Sequence, residues 1–176
     1  MQGSDAVLVL GLGNRLLCDD AAGPLAVDRL SAPPGVAGAV FRDGGTIGLS
    51  LLPEIEQAAA FIAVDAACFG AAPGTVRVFE GPAMDRQLGG RKRSAHEVAL
   101  FDLMGTALLT NRLPARRALV AVEPGSTALG LEPTPAVADA IPQMCAAVHQ
   151  LLAQWAPPSS PCRSSAAQTS SQRRGG

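Results

Sequence analysis

Two kinds of segment alternate along this chain, and no single local structure builds both. Short, unbroken apolar runs are interleaved with longer stretches whose apolar residues recur at helical spacing. The first run, Ala6–Leu12, is Val/Leu-rich and ends in Gly11-Leu12-Gly13-Asn14. It is too short for a stable helix and lacks the polar alternation of a half-exposed strand, so it reads as a strand buried on both faces. Strands of that kind lie parallel, joined by helices that cover the sheet on both sides.

The rest of the chain follows the same alternation. A helix is predicted from about Asp20 to Leu30, with Asp at its cap and Pro24 in its first turn, and Pro33-Pro34-Gly35 breaks it. Val36–Arg42 is the second strand, closed by Asp43-Gly44-Gly45-Thr46. Ile47–Ala59 sets Leu49, Leu52 and Ile55 against Glu54 and Glu56, an amphipathic helix interrupted early at Pro53. Phe61–Val64 is a third strand ending at Asp65, and Thr75–Phe79 is a fourth. Residues 81–94 read as a polar loop. Ala95–Thr110 carries Val98, Leu100, Phe101, Leu103, Met104 and Leu108 without a proline, a helix. Ala118–Val122 is the last strand, closed by Glu123-Pro124-Gly125. Thr134 as cap and Pro135 in the first position open a long helix to about Trp155, in which Pro142 predicts a kink or a false start. The order βαβαββαβα implies an α/β fold: a three-layer α/β/α sandwich over a largely parallel, twisted sheet of about five strands. One domain is expected over 1–156. Residues 157–176 are rich in Ser, Pro, Gln and Arg without apolar periodicity, the composition of a disordered tail.

Composition narrows the function. Of 176 residues, 48% are hydrophobic and 16% charged, with a formal net charge of −1. Such a chain has enough apolar surface to fold, and it lacks the positive field of a sequence-neutral nucleic-acid binder. With no Tyr, one Trp and five Phe it is a poor platform for base stacking. No apolar run approaches the ~18 residues of a membrane span. The opening MQGSDAVLVLGLGN has no basic region of the secretory kind. Cys18, Cys68, Cys145 and Cys162 form no C-x-x-C pair and read as reduced thiols, which fits a cytoplasmic protein.

In open α/β sheets the chemistry gathers at the carboxyl ends of the strands. Asn14, Asp19 and Asp20 follow the first strand, Asp43 the second, Asp65 the third and Glu123 the fifth, while His96 opens the helix after the basic loop Arg91-Lys92-Arg93. Asp43 before Gly-Gly is first of all turn chemistry. His149, among Val148, Leu151 and Leu152, reads as structural or surface. Asp20, Asp65 and His96 make an oxygen, oxygen, nitrogen set with open positions, suited to Ni²⁺, Zn²⁺ or Fe²⁺. Asp19 competes with Asp20 for the place, with helix capping as its plainer role. There is no G-x-S-x-G, S-x-x-K or H-E-x-x-H, and Leu16 stands where a dinucleotide fingerprint needs its third glycine.

These residues occur in a familiar order. VLVLGLGNRLLCDDAAG, RDGGTIGLSLLP, FIAVDAA, SAHEVALFDLM and VAVEPGSTALGLEPTPAVADAI together resemble the motifs of the [NiFe]-hydrogenase maturation endopeptidases, over roughly residues 6–155. The resemblance implies a protease that removes the C-terminal extension of a hydrogenase large-subunit precursor. It implies that Asp20, Asp65 and His96 grip nickel already inserted in that substrate, so that no resident cofactor is needed, and that Asp20 or Asp65 serves catalysis. The family often has Asp-Gly after the first acid, where this chain has Asp20-Ala21-Ala22-Gly23. The expected partner is the precursor; nucleic acid and membrane are not expected, and the protein is expected to act as a cytoplasmic monomer. Two rivals are a non-catalytic nickel-binding chaperone of the same fold and a peptidyl-tRNA hydrolase. The second needs a histidine soon after the Gly-Leu-Gly-Asn turn, and residues 15–30 contain none. Because residues 158–176 carry little apolar surface, deleting them should leave the melting temperature and any cleavage activity unchanged; differential scanning calorimetry of the truncated chain checks this.

Overall fold

The computed structural model describes residues 4–45, 49–90 and 95–156, without the side chains of Ser4, Asp5, Leu49, Ala95, His96 and Glu97. The expected tail and the Arg91–Arg93 loop lie outside these residues. The elements in order are β1 (Ser4–Leu12), a 3-10 turn (Cys18–Ala21), α1 (Ala22–Ser31), β2 (Ala39–Gly45), a second 3-10 turn (Leu49–Leu51), α2 (Leu52–Gln57) and β3 (Ala58–Ala66). Then come β4 (Val76–Glu80), α3 (Pro82–Leu88), α4 (Ala95–Leu109), β5 (Arg116–Val122) and α5 (Pro135–Trp155). The strands form one sheet in the order β2-β1-β3-β5-β4. β4 alone runs antiparallel, against β5. The expected α/β sandwich with a largely parallel five-stranded sheet is therefore the observed fold.

Strand alternation divides the interior into two layers. Val9, Ile62, Val64, Val120 and Val122 pack against α1 and α5. Leu8, Leu10, Leu12, Phe61, Ala63 and Leu119 face the other way, against Ile55 of α2, Met84 and Leu88 of α3, and Leu100, Leu103 and Met104 of α4. Because α1 and α2 leave opposite faces, β2 and β3 fall on opposite sides of β1. The crevice that such a reversal opens lies at the carboxyl ends of β1 and β3.

Four expectations are corrected. The stretch 81–94, read as loop, contains α3; Met84 and Leu88, one turn apart, are fully buried, and Arg117 Nε donates to Asp85 Oδ1 at 2.9 Å from β5. The polar Asp85-Arg86-Gln87 hid a helix short enough to owe its stability to tertiary contacts. α1 begins at Ala22, so both Asp19 and Asp20 lie in the preceding 3-10 turn. β3 starts at Ala58 and runs to Ala66, so Asp65 is inside the strand and not after it. α5 runs through Pro142 as one helix, so the proline is not a false start; Pro142 is exposed, so the Ala138 carbonyl it deprives of a donor can turn to water.

Gly23 decides how closely α1 approaches the sheet. A Cβ on Gly23 would lie 2.2 Å from Val64 O and 2.3 Å from Leu12 O. Gly105, midway along α4, has nothing within 4 Å of the place a Cβ would take. Gly23→Ala should therefore cost more than ~3 kcal/mol, whereas Gly105→Ala should gain roughly 0.5–1 kcal/mol from helix propensity. Urea unfolding of the two variants checks the contrast.

Candidate active site

After β1 the chain must turn back sharply to begin α1. Gly13, at φ +131°, makes this possible: a Cβ there would sit 1.8 Å from Asp20 O. The 3-10 turn thus rests its backbone directly on the end of β1, and it also packs against β3. Asn14 shapes the exit, its Oδ1 accepting from Leu16 N at 2.9 Å. Asn14 N in turn donates to Asp20 Oδ2 at 2.8 Å. Asp20 is buried at 5% exposure and Asp65 is fully buried.

Asp65 pairs with Ala121 of β5, one position beyond Val64, which pairs with Gly11 of β1. Its place in the alternation is that of Phe61 and Ala63, which turn toward the layer formed by α2, α3 and α4. Two of the three expected ligands are thus brought to the ends of adjacent strands at the crevice. The third, His96, is the second residue of α4, and its side chain lies outside the described residues. Among the described residues no three His, Cys, Asp or Glu side chains are grouped to hold a metal.

The other acids serve the scaffold. Asp19 caps no helix. Its Oδ2 accepts from Gly125 N at 2.7 Å, Ser126 N at 2.8 Å and Thr134 Oγ1 at 3.0 Å, and its Oδ1 from Thr134 N at 2.6 Å. Thr134, expected to cap α5 with its side chain, spends its hydroxyl here; only its carbonyl accepts from the first turn of α5. Burial acts to raise the Asp19 carboxyl, but the hydrogen bonds from Ser126, Thr134 and Gly125 outweigh it and hold the group below the usual carboxylate range. Glu123 Oε2 accepts from Phe69 N at 2.8 Å and Ala71 N at 3.1 Å, folding the loop that follows β3. Asp43 accepts from Gly45 N at 2.9 Å, the expected turn. It also takes Arg15 Nε at 3.0 Å, while Arg15 grips Asp28 through two bonds of 2.8 and 2.9 Å. These carboxylates push the Arg15 guanidinium pKa upward. Sequence reasoning missed Arg15, for nothing local links it to Asp28 and Asp43. His149 is exposed, far from the carboxylates. It lines a cavity of about 440 Å³ with Val7, Gly38, Ala60 and Trp155, at the opposite, amino-terminal end of the sheet.

The fold is shared with solved hydrogenase-maturing endopeptidases. The chain resembles the hydrogenase maturating endopeptidase HybD from Escherichia coli with a TM-score of 0.78 and 30% identity, covering 85% of this chain and 93% of that one. It resembles the [NiFe] hydrogenase maturation protease HybD from Thermococcus kodakarensis with a TM-score of 0.71 and 26% identity, covering 83% and 98%. A family model described as hydrogenase maturation protease matches residues 28–151, a span that contains Asp65 and His96 and begins after Asp20. The chain belongs to the hydrogenase maturation protease family. Among relatives, the hydrogenase expression/formation protein HupD of Rhodobacter capsulatus is 37% identical over 121 residues, 68% of this chain. The match spans only 58% of that relative's length. The hydrogenase 2 maturation protease of Escherichia coli K12 is 33% identical over 153 residues, 82% of this chain and 91% of its own.

The Asp19 clamp makes a prediction with a sign. Asp19→Ala leaves several buried donors without an acceptor and should destabilise the fold by roughly 2–4 kcal/mol at neutral pH. Since the folded carboxyl titrates below its unfolded value, the wild type holds the full contribution above about pH 4 and loses it as pH falls through the lower, folded value. The gap between wild type and variant should therefore close in acid, which denaturant titrations across pH 2–7 will read.

Proposed function

We propose that this protein is an endopeptidase that removes the C-terminal extension of a [NiFe]-hydrogenase large-subunit precursor after nickel insertion, and that Asp20, Asp65 and His96 recognise the nickel the precursor carries. The observation that supports the reading is the burial of Asp20 and Asp65 at the ends of β1 and β3, in a member of this family. Two carboxylates and an imidazole offer an incomplete donor set for a borderline divalent ion. The metal arrives as part of the substrate, and the precursor's own cysteines complete its coordination. Cleavage is then conditional on nickel loading, and the protein holds no cofactor of its own. Hydrolysis adds water across one peptide bond. Either Asp20 or Asp65 takes a proton from the attacking water, or the nickel polarises the scissile carbonyl. The protein acts as a monomer in the cytoplasm, without nucleic acid or membrane. Among the described residues no helix is long and apolar enough to cross a membrane.

Because Asp20 is buried and accepts from Asn14 N, Asn is the better probe: it keeps an oxygen for that bond and should cost only about 1 kcal/mol. Asp20→Asn and His96→Ala should slow processing of a nickel-loaded precursor more than about 100-fold, with melting curves close to wild type. Gel shift of the shortened subunit is the measurement. Wild-type trimming by both variants would make these residues bystanders. A wild-type protein that binds the nickel-loaded precursor and never shortens it would be a non-catalytic nickel-binding chaperone.

A further inference from the structure

We infer that Leu16, Leu129 and Leu131 form the lip on which the protein substrate docks, holding an apolar segment close to its scissile bond; this rests on the peptidase reading above. The three side chains are 54%, 83% and 75% exposed, in a molecule whose other leucines are mostly buried. Large apolar side chains gathered at one edge mark an interaction surface more often than scattered ones do. They stand on two loops joined through the backbone. Gly130 N donates to Leu16 O at 2.9 Å and Cys18 N to Gly130 O at 2.9 Å, with Leu17 bridged to Gly130 between them. Asp19 holds both flanks of the second loop, at Gly125 and Ser126 on one side and at Thr134 on the other.

The loops are therefore a fixed platform, and the segment carrying Leu16 runs directly into Asp20. The lip thus borders the turn that carries Asp20. Its chemistry is apolar, not ionic: Arg15, the nearby cation, is engaged by Asp28 and Asp43, and Glu132 is the one charged residue between Gly125 and Thr134. The complement is an apolar stretch of the precursor. A second copy of this chain seated here would compete with the substrate for the approach to Asp20.

The test uses the full-length protein and a nickel-loaded, C-terminally extended large-subunit precursor. Leu129→Asp and Leu131→Asp should each raise KM about tenfold while kcat stays within about twofold, and the same substitutions to Ser should raise KM less. Leu109→Asp, on the exposed end of α4 at 89% exposure, should leave both unchanged. The substitutions lie on exposed side chains, and melting curves will show that the variants fold. In an Asp20→Asn background, in which cleavage is slow, Leu129→Asp and Leu131→Asp should weaken precursor binding by the same factor relative to Asp20→Asn alone. Unchanged KM and unchanged binding in these variants would overturn the proposal and leave the peptidase reading intact. So would a wild-type dimer that the variants convert to monomer with no change in KM. If the wild type binds the precursor without cutting it, the peptidase reading falls, and binding alone decides the lip: a tenfold loss supports it and no loss overturns it. If the wild type neither binds nor cuts, both fall.

Discussion

The carboxylate of Asp19 is the interaction on which the carboxyl end of this sheet depends. It accepts four hydrogen bonds from residues more than a hundred positions away in sequence. In doing so it ties the turn after β1 to the loop between β5 and α5. A carboxylate is suited to the task because its two oxygens can accept several backbone donors converging from different directions, and bonds to a charged acceptor are stronger than bonds between neutral groups. Burial alone would disfavour the charge; the donors restore it. The consequence is positional. Asp20, the next residue, inherits a fixed place at the crevice, where its carboxylate accepts from Asn14 N.

Close approach completes the arrangement. Gly13 and Gly23 lie where a single methyl group would meet backbone oxygen atoms of Asp20, Val64 and Leu12. The turn and the start of α1 can therefore settle on the ends of β1 and β3. The reversal of strand order at the same point opens the crevice, as the crossovers α1 and α2 diverge to opposite faces. Most of the acids around it are consumed by architecture: Glu123 folds the loop after β3, and Asp28 and Asp43 neutralise Arg15. Asp20 and Asp65 are two buried acids beside this crevice, one in the turn and one within the strand. The cavity near His149 lies at the far end of the sheet, so it and the candidate chemistry are separated by the length of the strands.

Much of this could be read in advance because the dominant signals are local. Continuous apolar runs mean strands covered on both faces, and helix-spaced residues between them mean crossovers. Together they determined the layer architecture, the parallel sheet and the rim where the acids gather. The motif order was also local, and it pointed to the family that the comparisons bear out. What misled was local too. The polar middle of α3 concealed Met84 and Leu88, whose burial is supplied by α4 and the sheet. Pro142 threatened a helix whose exposed face tolerates it. Thr134 does hold the cap position of α5, but its hydroxyl goes to Asp19 instead of the helix.

Tertiary structure decided the division of labour among neighbouring acids. Asp19 and Asp20 are adjacent, chemically identical and equally suited by sequence to a ligand's role or a cap's. Only the return of the β5–α5 loop, which brings the backbone donors of Gly125, Ser126 and Thr134 to one carboxylate and not the other, tells them apart. The same holds for Asp43 and Glu123, whose partners are set by the packing of separate loops. The amino-acid sequence by itself determined most of the segments that become strands and helices, because burial periodicity is written along the chain; α3, whose burial comes from its tertiary neighbours, is the exception. Which acid holds the scaffold and which faces the crevice was decided by the fold alone, because hydrogen-bond partners a hundred residues apart leave no trace in either one's neighbourhood.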